Sequence, residues 1–224
     1  MKIARMDVLG NPFLGVFCRV NDSYALVPPG LPKDDMAQIA ATLGVEVTPM
    51  TIGCGTILGS LIAMNNKGAL VVDYAGSEEI AIIKKALRGM NVATLGDRNN
   101  AAGNNVLVND RCAVVSPEMS AEWAKTISDA LGVEVVKMSI AGCATVGSAA
   151  VATSKGCLCH PRTTDEEMAA LKQALGVEAL NGTINHGGSM IGAGIMANGK
   201  GAIAGSLTTG IELARIEEAL GFLE

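Results

Sequence analysis

The densest run of reactive side chains is Cys157-Leu158-Cys159-His160, and the chain has only one other histidine, His186. Two thiols and an imidazole are donors that zinc or a nucleophilic site would use. In a strand, however, alternate residues share a face, which puts Cys157 and Cys159 on one side and His160 on the other. The compact spacing of a zinc knuckle is absent, so neither a metal nor a cofactor is expected. A Cys–His nucleophile needs residues distant in sequence to converge, and spacing supplies no such pair. Gly187-Gly188 ahead of Ser189 has the composition of an anion-cradling loop, yet it falls at the same loop phase as Cys54 and Gly142, where loop closure also asks for glycine. Gly53-Cys54-Gly55 with Gly59 is a poor match to a dinucleotide fingerprint. Asn21-Asp22-Ser23 and Asn181-Gly182-Thr183 fit a glycosylation pattern that means nothing without an export signal. No catalytic constellation emerges, and the chain is not expected to be an enzyme.

What must position these residues is a repeat. Leucine returns at Leu43, Leu87, Leu131, Leu175 and Leu220, and glycine at Gly15, Gly59, Gly103, Gly147 and Gly192, each series spaced 44, 44, 44 and 45. Two independent residue types thus mark five units within 224 residues. After each glycine a run with β character begins at Val16, Leu61, Val106, Ala149 and Gly194. Turns follow at Asn21-Asp22, Asn65 to Gly68, Asn109 to Arg111, Thr153 to Gly156 and Asn198 to Gly201, where Asn, Asp and Gly suit the left-handed conformations of tight hairpins. A second strand comes next. The period then changes to that of a helix: Met36, Ile39 and Leu43 form one apolar stripe, as do Ile80, Ile83 and Leu87, and Ala124, Ile127 and Leu131. Met168, Leu171 and Leu175, then Leu213, Ile216 and Leu220, complete the set. Acidic first turns and capping-box spacing at Thr164–Glu167 and Thr209–Glu212 mark helix starts. Gly44, Gly89, Gly132, Gly176 and Gly221 mark their ends. A third strand closes each unit, giving β-β-α-β.

The fifth unit has no room for its last strand, while Lys2 to Val8 is strand-like with nothing before it. Placed after the last helix it supplies the missing strand. The expected fold is therefore a closed fivefold pseudosymmetric α/β propeller in a single domain, residues 1–224, with repeats 15–58, 59–102, 103–146, 147–191 and 192–224 closed by 1–14. A net charge of −5 without a Lys/Arg cluster argues against holding nucleic acid through its phosphates. Val47 to Asn66 and Ala179 to Gly199 are uncharged and long enough to suggest membrane spans, but both are broken by glycines and polar residues at one phase of the repeat. Six cysteines and a start lacking a signal-peptide core point to the cytoplasm. Cys54 and Cys143 occupy matching positions, as do Cys112 and Cys157, which favours small buried hydrophobes.

Three stretches resemble a known family: Val146 to Pro161 with its Gly-Cys-Leu-x-His-Pro string, Gly103 to Asp110 with Val115 to Glu118, and Thr208 to Gly221 with Thr-Thr-Gly-x-Glu-Leu. They resemble translation initiation factor 6 in its archaeal form, and the likeness runs from the first strand to the last helix. The resemblance implies a propeller of the pentein type and a non-enzymatic, monomeric factor. It would bind the large ribosomal subunit, chiefly a ribosomal protein at the intersubunit face near the sarcin-ricin loop, and keep the small subunit away. Carried over to this chain, the contact rim falls at Ser60, Gly103, Asn104, Asn105, Ser148, Ala149, Ala193 and Gly194, with Asn104 foremost. For Gly103-Asn104 the competing reading is a turn in which Asn serves its backbone conformation. The rival function is that of pentein enzymes that modify guanidines with a late cysteine; here the last repeat, from Ala193 on, contains none.

Overall fold

In the computed structural model, which describes residues 2–96 and 100–223, the strands gather into five three-stranded sheets. In chain order they are β1 Ile3–Met6, β2 Arg19–Val20, β3 Tyr24–Val27, β4 Glu46–Pro49, β5 Ile62–Met64, β6 Gly68–Val72, β7 Asn91–Leu95 and β8 Val106–Val108. Then come β9 Cys112–Val115, β10 Glu134–Lys137, β11 Ala150–Ala152, β12 Gly156–Cys159, β13 Glu178–Asn181, β14 Ile195–Ala197 and β15 Ala202–Gly205. In each of the first four units an antiparallel hairpin is followed by a helix and by a strand that pairs parallel to the hairpin's second strand. The fifth sheet takes β1 from the other end of the chain, parallel to β15 from Ile3↔Ala202 to Met6↔Gly205.

Four helices, α1 Lys33–Leu43, α2 Ser77–Ala86, α3 Ala121–Leu131 and α4 Asp165–Leu175, join the second strand of a sheet to its third, and a fifth, α5 Gly210–Ala219, follows β15, whose parallel partner β1 lies at the other end of the chain. Their stripes are buried as the spacing predicts: Ile39 and Leu43, Ile83 and Leu87, Ile127 and Leu131, Leu171 and Leu175, Ile216 and Leu220 lie in the core. Each such side chain removed from water is worth roughly 1.5–3 kcal/mol. The helices serve two sheets each; Ile39 and Leu43 share a cluster with Met196 and Ile203 of the fifth unit. Gly44, Gly132 and Gly176 end α1, α3 and α4 in the left-handed conformation. The two long uncharged stretches break into short strands and turns, and among the described residues no helix is long and apolar enough to cross a membrane.

Two expectations need correction. The first strand starts later than its composition suggests in every unit but the third, where it starts at Val106 as expected, because the recurring glycine sits in a short helical turn: Leu14–Phe17, Leu58–Leu61, Ala102–Asn105, Val146–Ala149 and, as a 3-10 turn, Ile191–Ala193. Each of these turns lies against the turn of a neighbouring unit. A Cβ on Gly15 would lie 2.1 Å from the Gly192 carbonyl oxygen, on Gly59 2.0 Å from that of Gly15, on Gly103 1.9 Å from that of Gly59, on Gly147 2.3 Å from that of Gly103 and on Gly192 2.0 Å from that of Gly147. Glycine recurs because five backbones approach one another there.

The second correction concerns Asn21, Asn65, Asn109 and Asn198. None has positive φ; the side chain is what the turn needs. Each Oδ1 accepts the backbone N–H groups two and three residues on, as Asn65 does from Lys67 at 2.9 Å and Gly68 at 3.0 Å. Each Nδ2 donates to the next unit: Asn21 to Asn65 O, Asn65 to Asn109 O, Asn109 to Thr153 O and Asn198 to Asn21 O. Asn65, Asn109 and Asn198 also donate to Leu131 O, Leu175 O and Leu43 O, tying a helix end into the joint. Thr153 interrupts the series; its hydroxyl caps its own turn through Lys155 and Gly156 but has no second donor to send onward. Thr153→Asn is therefore expected to add bonds between the fourth and fifth units and to stabilise the protein by about 1 kcal/mol. A melting temperature raised by roughly 2–4 °C would show it.

Candidate functional site

At the glycine end of the molecule lies an enclosed cation. Strand β2 projects Arg19 inward, where equivalent positions hold Ala63, Leu107, Val151 and Met196. Its Nη2 donates to the Gly59 carbonyl and, at 3.1 Å, to that of Gly103, spanning units one, two and three. Nε is enclosed and has no partner among the described residues. Burial pulls the guanidinium down to about 10, and burial, opposed by Arg19, pushes the neighbouring Cys18 thiol up to about 12. The Cys18 thiol is thus neutral at pH 7 and unsuited to nucleophilic work. A cavity of about 50 Å³ beside Arg19 is lined mainly by apolar residues, including Met64, Val151 and Met196.

Around this end lie the rim candidates. The helical turns place Ser60, Gly103, Asn105, Ala149 and Gly194 below the surface, while Asn104, Ser148 and Ala193 remain partly exposed. The Ser148 hydroxyl donates to Asn104 Oδ1 at 3.1 Å, which joins the third and fourth units at the rim. Asn104 lies in a helical turn, and its φ is not positive. Its type is therefore not a demand of backbone conformation, and its half-exposed amide is available to a partner. The sequence reading missed the position two residues before each glycine, which caps the start of each turn. It is occupied by Phe13, Ile57, Ala101, Thr145 and Met190. Phe13, Ile57 and Met190 are 40%, 42% and 37% exposed, so three of the five turns begin with a large apolar side chain at equivalent places. Counting back from the glycines would have found them.

Next to the rim, hairpin turns lead into the units and are held by glutamates at the third position of the helices. Glu79 accepts from Gly53 N (2.8 Å), Cys54 N (3.2 Å), Gly76 N (2.9 Å) and the Thr51 hydroxyl (2.9 Å). Glu167 takes Ala141 N at 3.0 Å on both oxygens and Thr164 N at 3.0 Å. Glu212 takes His186 N (3.1 Å), Gly187 N (2.8 Å), Thr209 N (2.8 Å) and the hydroxyls of Thr183 (2.8 Å) and Thr209 (2.9 Å). Burial alone would raise the Glu212 carboxyl, but these hydrogen bonds outweigh it and hold it at about 2. Burial opposes the same effect at Glu79, which is also held below the ordinary carboxylate range. The suggested cradle at Gly187 does bind an anion, one from its own chain.

The cysteine cluster is buried structure. Cys157 and Cys159 face the same way with sulfurs 3.5 Å apart and are fully enclosed. The Cys159 thiol and burial together push Cys157 well up. His160 points elsewhere and accepts Arg162 N at Nδ1, and burial lowers its basicity. Among the described residues no group of three or more His, Cys, Asp or Glu side chains is arranged to hold a metal. Cys54 and Cys143 are not the buried pair that their spacing suggests: Cys54 is exposed at the centre of its turn with φ 61°, and Cys143 ends the equivalent turn, half-buried.

The family model described as eIF-6 family matches residues 3–219. The translation initiation factor 6 of Methanospirillum hungatei JF-1 is 40% identical over 186 residues, 83% of each chain. That of Methanoculleus marisnigri is 42% identical over 186 residues, again 83% of each. The Pyrococcus horikoshii factor is 40% identical over 191 residues, 84% of each.

Proposed function

Since this chain belongs to the eIF-6 family, we propose that it is a translation initiation factor that binds the large ribosomal subunit, prevents the small subunit from joining it, and serves in large-subunit biogenesis and recycling. The observation that carries this reading is the family match across all five units, residues 3–219. The units form one closed fivefold propeller of the pentein type, a single domain acting as a monomer in the cytoplasm without cofactor or catalysis. Its first partner is a ribosomal protein at the intersubunit face near the sarcin-ricin loop, with little direct contact to RNA. Such proteins are commonly basic, and a chain of net charge −5 complements them.

The docking surface is the rim at the glycine end. Asn104, Ser148 and Ala193 offer polar and small contacts on units three to five, and Phe13, Ile57 and Met190 offer the large apolar anchors that such interfaces concentrate their energy in. Asn104→Arg places a bulky cation where a basic partner would sit. Binding to archaeal large subunits, measured by co-sedimentation, is expected to weaken at least roughly tenfold, or about 1.4 kcal/mol. The melting temperature should stay within a few degrees, because only the bond from Ser148 is lost. Recovery of the unmodified protein solely at the top of the gradient would overturn the ribosomal reading. An unaltered Asn104→Arg affinity would move the surface elsewhere on the molecule.

A further inference from the structure

The four described turns that lead into units all have left-handed central residues. Val8–Asn11, Ile52–Gly55 and Ile140–Cys143 are two-residue hairpins whose central residues, Leu9-Gly10, Gly53-Cys54 and Ala141-Gly142, all have positive φ. In Ile184–Gly188 the central residues Asn185, His186 and Gly187 are likewise left-handed. Such successive residues turn neighbouring N–H groups toward a common concavity that fits an anion.

In units two, four and five a carboxylate of the same chain fills that concavity. Glu79 lies 26 and 25 residues after Gly53 and Cys54, Glu167 lies 26 after Ala141, and Glu212 lies 26 and 25 after His186 and Gly187. The same separations from Leu9 and Gly10 lead to residue 35, the third position of α1, which is aspartate. Its side chain is one methylene shorter. Among the described residues, the N–H groups of Leu9 and Gly10 have no acceptor, and Asp35 receives no bond from the turn.

We propose that the Leu9-Gly10 turn is a receptor for a carboxylate of a partner polypeptide, which completes in the first unit the contact that a glutamate makes in three others. The sister turns show that this backbone presents donors at 2.8–3.2 Å to carboxylate oxygens. The turn is flanked by Leu9, 49% exposed, and Phe13, 40% exposed. Two charge-assisted donors beside apolar side chains suit an acidic residue of a peptide segment. Asp35 also selects: its charge opposes a second anion, and opposes a phosphate dianion more than a singly charged carboxylate. This assignment does not depend on the ribosomal reading.

The test is a titration of the full-length, nitrogen-15-labelled protein with sodium acetate, chloride being exchanged out at constant ionic strength. The amide protons of Leu9 and Gly10 are expected to move downfield and saturate, while those of Gly53, Cys54, His186 and Gly187 stay in place. Asp35→Glu supplies the missing methylene; it should abolish the acetate response, shift the two amides in its absence, and raise the melting temperature. Asp35→Asn removes the like charge and should bind acetate roughly fivefold more tightly. Leu9 and Gly10 shifts no larger than those of other exposed amides would overturn the proposal, as would an undiminished response in Asp35→Glu. Inorganic phosphate, run as a parallel arm, would overturn the carboxylate assignment if it bound more tightly than acetate.

Discussion

Glu212→Gln is expected to lower the melting temperature by roughly 5–10 °C at pH 7, because it removes a carboxylate on which five donors converge. The carboxyl is 6% exposed, and its ordinary value of 4.5 falls to about 2 in the folded chain. A displacement of that size corresponds to about 3 kcal/mol of stability. The folded value lies below the unfolded one, so the contribution is complete above about pH 4.5, fades as the pH falls, and is gone below about 2. Thermal melts of the two proteins from pH 7 to pH 2.5 should therefore converge toward the acid end. Parallel curves would mean that the lost stability comes from packing and not from the charge. Glutamine can accept with one oxygen only, and its amide nitrogen would face N–H groups with nothing to offer them. That mismatch makes it a stricter test than alanine.

The features legible in the sequence are those governed by local rules. Thr209 and Glu212 announce a capping box by spacing alone, and the structure forms it. The stripe from Leu213 to Leu220 needs only the helical period, and the β-β-α-β order follows from the change between periods. What was illegible depends on the same residue types doing work across units. Asn65 reads as a turn former because asparagine commonly serves left-handed backbone, whereas here it bonds Asn109 and Leu131, 44 and 66 residues away. Cys54 reads as a core residue from its partner spacing with Cys143, yet the turn exposes it.

The rim candidates show what a carried-over position leaves out. The resemblance places Ser60, Asn105 and Ala149 on the contact rim, whereas the helical turns bury all three and leave Phe13, Ile57 and Met190 exposed just ahead of them. Glutamates that look like dipole partners of their own helices also reach back about 26 residues to clasp a turn. No helical rule predicts that second contact. It became visible because the same separation recurs, and the recurrence is also what exposes Asp35 as the unit where it fails.

Gly103→Ala is expected to be the most damaging single methyl group in the chain, costing about 3 kcal/mol or more, with loss of soluble protein as an acceptable outcome. The added Cβ would lie 1.9 Å from the Gly59 carbonyl oxygen, 2.5 Å from Arg19 Nη2 and 2.6 Å from the Ile62 carbonyl oxygen. Two of those three atoms are backbone, so relief requires moving neighbouring units apart. The displacement would also break the Arg19 bonds to Gly59 and Gly103 and leave a guanidinium enclosed without acceptors. Two other glycines separate this effect from the generic cost of a side chain. At Gly142 nothing lies within 4 Å but φ is +77°, so alanine there should cost only about 1–2 kcal/mol, from backbone strain. At Gly210 the space is open, φ is not positive and the residue begins α5, so alanine should be neutral or stabilise by up to about 1 kcal/mol. Chemical denaturation of the three variants should rank them Gly103, Gly142, Gly210 in descending loss. A Gly103→Ala protein as stable as Gly142→Ala would mean that the ring yields without penalty and that close approach is not why glycine recurs there.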